Sequence, residues 1–141
     1  MSSWPAPSAL DPRTQAFPIL TDAQLERVRH LSKLRKVEKG EILFEPGDTD
    51  VSFFVLLSGG MEIVQPDLAG ERPITNHHPG GFTGEMTMIS GQRCLVRGRV
   101  TEAGDFLEMS AKALRQLVAR DAELSEILMR AFILRLSLIH I

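Results

Sequence analysis

Between Glu41 and Gly81, glycine, proline and other turn residues cut the chain into short runs: EILFEPGDTD, SFFVLLSGG, MEIVQPDLAG and RPITNHHPGG. Apolar and β-favouring side chains fill each run. Pro46-Gly47-Asp48, Gly59-Gly60 and Ala69-Gly70 break them at turn positions. Such spacing predicts a small β-barrel or jelly roll of short antiparallel strands joined by tight turns. Two more runs follow, at about 95–101 and 105–109, the second after the turn Glu102-Ala103-Gly104.

Helical signals flank this region. Thr21 with Gln24 forms a capping-box pattern, and Leu20 and Leu25 suit a hydrophobic staple around it. Leu25, Val28, Leu31 and Leu34 then recur at three-residue steps, which predicts an amphipathic helix over 22–34. After the strands, Ser110 is placed to cap a helix carrying Leu114, Leu117 and Val118, and Asp121 a second one carrying Leu124, Ile127, Leu128 and Phe132. The fold class expected is therefore α+β: a β-barrel or jelly roll with an N-terminal helix and C-terminal helices.

Residues 1–16, with three prolines, read as a mobile lead-in in which Trp4 touches down. Residues 17–135 form the domain. The last six, LSLIHI, interrupt the polar side of the final helix and are read as a cut or non-native end of a longer chain.

A formal net charge of −2 argues against a chain built to coat nucleic acid or an anionic membrane. A single cysteine, Cys94, allows no intrachain disulfide, which fits a reducing compartment. No apolar run reaches membrane-spanning length, and the N-terminus lacks a signal-peptide pattern. The expectation is a soluble cytoplasmic domain.

Chemistry concentrates in PGGFTGEMTMISGQRCLVRGRV, Pro79 to Val100. Gly80 and Gly81 permit a sharp turn, and Phe82 is an expected core anchor. After Gly84, residues Glu85 to Ile89 are long enough for about one helical turn, whose first N–H groups have no internal partner and sit at the positive end of a dipole. Gly84, Glu85, Met86 and Thr87 thus make a candidate anion site. An arginine from the residues that follow would complete it with charged, forked donors. Glu85 is suited to accept hydrogen bonds from hydroxyls, as a ribose offers. The ligand class this implies carries phosphate at one end and sugar hydroxyls nearby.

The same residues resemble a cyclic nucleotide-binding domain of the kind shared by catabolite-activator-type regulators and cyclic-nucleotide-dependent kinases. Phe82-Thr83-Gly84-Glu85-Met86 matches the F-x-G-E-apolar opening of that family's phosphate-binding cassette, Met88 and Ile89 its apolar continuation, and Gly91 its loop glycine. Lys39 to Asp48 and Ser52 to Gly59 match the family's preceding strands and turns, and the resemblance covers about 17–130. It implies a cyclic nucleotide as ligand and no cofactor in this chain. The wording SGQRCLVRGRVTEAG is most similar to the front regulatory domain of chains in which a thioredoxin-reductase-like flavin oxidoreductase follows. That implies a C-terminal oxidoreductase domain as partner and no enzyme activity here.

In ligand-binding members an arginine follows the glutamate and small residues follow the arginine. Here Cys94 and Leu95 occupy those slots, with Arg93 one step early and Arg97 two steps late. The phosphate is assigned to Arg93 if the loop contracts by a residue, with Cys94 in the small-residue slot, or to Arg97 if it points inward. Leu95 and Val96 stand where hydroxyl contacts to a purine are expected, so a ligand-free docking or dimerisation module is the alternative. The apolar stripe of 122–135 suits pairing of two chains or packing within one. No helix-turn-helix fits before the end, so DNA binding by this segment is not expected.

Other residues carry less. His77 and His78 are adjacent on an expected strand and so point to opposite faces, and no third ligand for a metal is evident. Cys94 beside arginines reads as a small buried filler rather than a reactive thiol.

Overall fold

The computed structural model describes residues 15–139. In chain order they form α1 (Asp22–Arg29), β1 (Lys33–Val37), β2 (Ile42–Phe44), β3 (Phe53–Leu56), β4 (Gly60–Asp67), β5 (Gly70–His77), β6 (Phe82–Thr83), α2 (Glu85–Ser90), β7 (Arg97–Glu102), β8 (Gly104–Met109), α3 (Ala111–Arg120) and α4 (Ala122–Leu136). The strands make two four-stranded antiparallel sheets, ordered β1-β8-β3-β6 and β2-β7-β4-β5. This is the α+β jelly-roll arrangement expected from the turn spacing.

Period-two alternation explains how the layers stack. All four residues of β3 are buried, because its sheet is covered on both faces. Phe54 and Leu56 point into the sandwich beside Phe44, Met61, Ile63, Val100 and Phe106. Phe53 and Val55 point the other way, into a second core shared with Phe82, Leu107, Met109 and the helical Leu114, Leu117, Leu124 and Leu128. The first sheet is thus the middle of three layers, between the second sheet and the helices. Close approach within the sandwich depends on Gly98, where a Cβ would stand 2.5 Å from the ring of Phe44 and 2.9 Å from Met61.

The capping signals hold. Thr21 and Gln24 cap α1 reciprocally, with bonds of 2.9 and 3.2 Å, and Ser110 and Asp121 accept from Ala113 N and Leu124 N at the starts of α3 and α4. The extent of the first helix is corrected. α1 ends at Arg29, and Lys33–Val37 instead pairs with β8 in a register that sets Leu34 opposite Leu107. The three-residue repeat misled because only its first half faces a core; Leu31 and Leu34 are exposed.

Of the expected lead-in, residues 1–14 with Trp4 lie outside the described residues, as do His140 and Ile141 of the tail. Gln15 and Ala16 are helical and Ala16 is buried, so these two belong to the folded unit. No described helix is long and apolar enough to cross a membrane.

Candidate ligand-binding site

The short helix α2 is launched from Gly84, whose φ of 98° is left-handed. A Cβ at this position would stand 2.2 Å from the carbonyl oxygen of Ser52. Glycine is therefore required twice over, for the backbone angle and for the contact with the start of β3. No side chain caps the helix. At its far end Gly91, at φ 69°, closes the last turn by donating to Thr87 O at 3.0 Å.

The loop that follows is zipped to the Pro46-Gly47 turn: Gly47 N donates to Cys94 O and Cys94 N to Asp48 O, both at 2.8 Å. This buries Cys94, whose thiol donates to Val96 O at 3.2 Å. Burial pushes the thiol pKa up, so Cys94 is a neutral filler, as its composition context suggested. The same zipper sets Arg93 at the rim, where its Nη1 donates to Gly47 O at 3.3 Å.

Two spaces adjoin α2. An inner cavity of about 50 Å³ lies at its start, lined by Gly84, Glu85, Met86, Thr87 and Cys94 together with Phe17, His77 and Arg135. It has room for a few waters, not a nucleotide. An outer groove of about 760 Å³ runs along α2 and the next loop, lined by Met86, Thr87, Arg93, Cys94 and Leu95, with Arg115 and Ala111 from α3. Seven of the eight residues singled out in the sequence therefore border one space or the other.

Arg97 borders neither. β7 turns Gly98 and Val100 inward and Arg97 outward, so the inward Arg97 weighed above is corrected. Its Nε meets Glu45 and its Nη1 meets Glu71 at 2.5 Å. Arg99 joins the same cluster through Glu62 at 2.6 Å and Glu71 at 2.5 Å. The two guanidiniums pull the Glu71 carboxyl down to about 2. These pairs occupy the Arg97 guanidinium on the outer sheet.

Glu85 is not at the mouth of the site. It is fully buried, and its Oε1 accepts from Arg135 Nη1 of α4 at 2.6 Å. Arg135, itself 5% exposed, also donates from Nε to Ala16 O at 2.6 Å and from Nη1 to Phe82 O at 3.1 Å. The guanidinium lies over the rings of Phe82 and Phe17, 4.5 and 5.1 Å from their centroids. One atom on each side of the pair, Glu85 Oε2 and Arg135 Nη2, is buried with no hydrogen-bond partner. A charged pair with one unpartnered atom on each side, bordering one small cavity, is costly and so informative. His77 completes the wall, edge-on to Phe17 with ring centroids 6.1 Å apart. Burial first, and then the charge of Arg135, lower its pKa to about 3. His78 is exposed, and no cluster of metal-ligating side chains occurs among the described residues.

The sequence reading missed Arg135. Its signal is a charged residue on the buried stripe Leu124, Leu128, Ala131, Arg135 of α4, a place that a cation occupies only with a partner.

A family model described as the cyclic nucleotide-binding domain matches residues 34–121. No curated protein matches the chain. Among solved structures, the catabolite activator protein of Thermus thermophilus is 20% identical, superposes with a TM-score of 0.73, and the match covers 87% of this chain and 58% of that one. The c-di-GMP-responsive global regulator CLP of Xanthomonas campestris is 23% identical with a TM-score of 0.68, covering 83% of this chain and 58% of that one. The regulatory domain of Toxoplasma gondii PKA, solved with cAMP, is 20% identical with a TM-score of 0.61, covering 72% of this chain and 39% of that one. At these identities the likeness is one of fold, and the chain spans little more than half the length of the first two proteins.

Proposed function

The chain belongs to the cyclic nucleotide-binding domain family, and from that premise we propose that it is a sensor for a cyclic nucleotide or a related phosphate ligand, read out through its terminal helices. The ligand enters by the outer groove and places phosphate against Met86, Thr87 and Arg93; its sugar hydroxyls reach Glu85 once the inner cavity opens at the start of α2. The observation that carries this reading is the buried, half-satisfied Glu85–Arg135 pair at the start of α2. Glu85 has an oxygen to spare, and its present partner sits on the last helix. A ligand held by the spare oxygen alone leaves Arg135 in place; one that takes both oxygens displaces Arg135 and so biases α4, which is the differential contact a switch requires. Arg93, tied only to a carbonyl at the rim, is the phosphate partner in preference to Arg97.

A second reading is favoured by a specific observation as well. The inner cavity holds no nucleotide-sized space, Arg135 already occupies Glu85, and Leu95 and Val96 offer no hydroxyl. These suit a docking module that keeps the scaffold without the ligand. On either reading we take the domain to be cytoplasmic and non-enzymatic. Its output partner, on the resemblance of Ser90 to Gly104, is a thioredoxin-reductase-like oxidoreductase domain.

Calorimetry with cyclic AMP and cyclic GMP, on the parent chain and Arg93→Ala, decides between the readings. The sensor reading predicts saturable binding that Arg93→Ala weakens by about 1.5–3 kcal/mol, the worth of a hydrogen bond to a charged group. Absence of any nucleotide-induced rise in Tm across a panel would support docking.

A further inference from the structure

The described arginines divide into two groups. Arg27, Arg29, Arg35, Arg97, Arg99, Arg130 and Arg135 each pair with a carboxylate. Among the described residues Arg93, Arg115, Arg72 and Arg120 do not. Arg72 is held by Gln65 and the carbonyl of Leu138, and Arg120 lies outside the groove. Arg93 and Arg115 both line it. Among the described residues Arg93 has only the carbonyl of Gly47, and Arg115, on the exposed side of α3, has no hydrogen-bond or ion-pair partner. Among the described residues no aspartate or glutamate contributes to the groove wall. In a chain with a formal net charge of −2, a groove with two arginines on its wall that have no carboxylate partner favours anions.

The two arginines stand on different walls. Arg93 is fixed beside the Pro46-Gly47 turn, on the side of the second sheet. Arg115 comes from α3, which packs against α4 on the helical side. Met86 and Met88 of α2 line the same groove, as does the exposed Leu95 next to Arg93 in the chain. Thr49, Thr87, Ser90 and Gln92 supply neutral donors and acceptors. The volume, about 760 Å³, lies well within the range of ligand pockets and far exceeds what a lone phosphate fills.

Resting on the cassette reading above, we propose that the groove takes a ligand with two separate phosphate groups, of the cyclic dinucleotide kind, and that Arg115 is the second phosphate's partner. Arg93 receives one phosphate at the cassette and Arg115 the other across the groove. The nucleoside bodies lie over the methionines and Leu95.

The test is calorimetry on the whole chain with cyclic di-GMP and cyclic di-AMP beside cyclic GMP and cyclic AMP. The variants are Arg115→Gln, Arg115→Lys and Arg93→Gln. Arg115→Gln is expected to weaken dinucleotide binding about tenfold or more, the factor for loss of one charge-assisted contact. It leaves mononucleotide binding and the Tm of the free protein unchanged, and Arg115→Lys recovers part of the loss. Arg93→Gln weakens both ligand classes. Dinucleotide affinity that ignores Arg115→Gln would overturn the second subsite, as would mononucleotides that bind as tightly as dinucleotides. Mononucleotide binding that depends on Arg93, with no dinucleotide binding, overturns this proposal and leaves the cassette reading standing. No binding by any of the four overturns both.

Discussion

His77 is carried inward by the alternation of β5, where it meets the Phe17 ring and the Arg135 guanidinium. A proton there would be buried beside a fixed positive charge, so the folded state excludes it and the pKa falls from 6.5 to about 3. The unfolded chain has no such objection. Between those two values the unfolded state binds more protons than the folded one, so stability rises with pH across the window and is lost as pH drops from 6.5 toward 3. The carboxylates that arginines hold low, Glu71, Asp121 and Glu123, add their own losses only as pH falls below their ordinary values of 3.8 to 4.5. The upper part of the window therefore isolates the histidine among these shifted groups. Urea titrations at pH 6.5, 5.5 and 4.5 should show stability declining by up to about 1.4 kcal/mol per pH unit for one proton. His77→Phe should remove that share of the slope. An unchanged slope in the variant would mean His77 is accessible to protons in the folded state.

The start of α2 depends on its glycine in a way that a single substitution can measure. Gly84→Ala adds a methyl 2.2 Å from Ser52 O and 3.0 Å from the Cα of Phe53, both backbone and neither free to swing aside. The left-handed angle alone costs about 1–3 kcal/mol for a residue with a side chain, and relief of the clash must pry α2 off β3. Denaturant midpoints should fall accordingly. A Gly91→Ala control, left-handed but with open space around it, should cost less. That Gly84 mattered was legible in the sequence, because turns and caps are written in neighbouring residues. The same locality made the three helix caps and most strand boundaries readable. β1 escaped because its pairing with β8 links residues about 70 positions apart, while its own sequence continues a helical-looking repeat. Arg135 escaped for a like reason. Its partners Glu85 and Ala16 are 50 and 119 residues distant, and nothing local marks the arginine as theirs. Arg97 was ambiguous until strand pairing fixed which of its faces met Glu71.

Three layers leave α4 lying so that its end reaches the cassette, and Arg135 there joins four parts: the N-terminal segment at Ala16, β6 at Phe82, α2 at Glu85, and α4 itself. The joint is ionic, buried and short of one bond on each side. Desolvation makes such a pair a poor source of net stability, yet removal of either partner strands the other charge in the core. Arg135→Met and Glu85→Leu should each therefore destabilise by about 3–5 kcal/mol, whereas the double variant should cost far less than the sum. A double-mutant cycle in guanidinium chloride reads the coupling, expected at the upper end of the 0.5–3 kcal/mol found for contacting residues. If the single costs simply add, Arg135 acts through its carbonyl and ring contacts, and the link from α4 to the cassette does not run through Glu85. If they couple, Glu85 is the group through which the last helix is held to the start of α2.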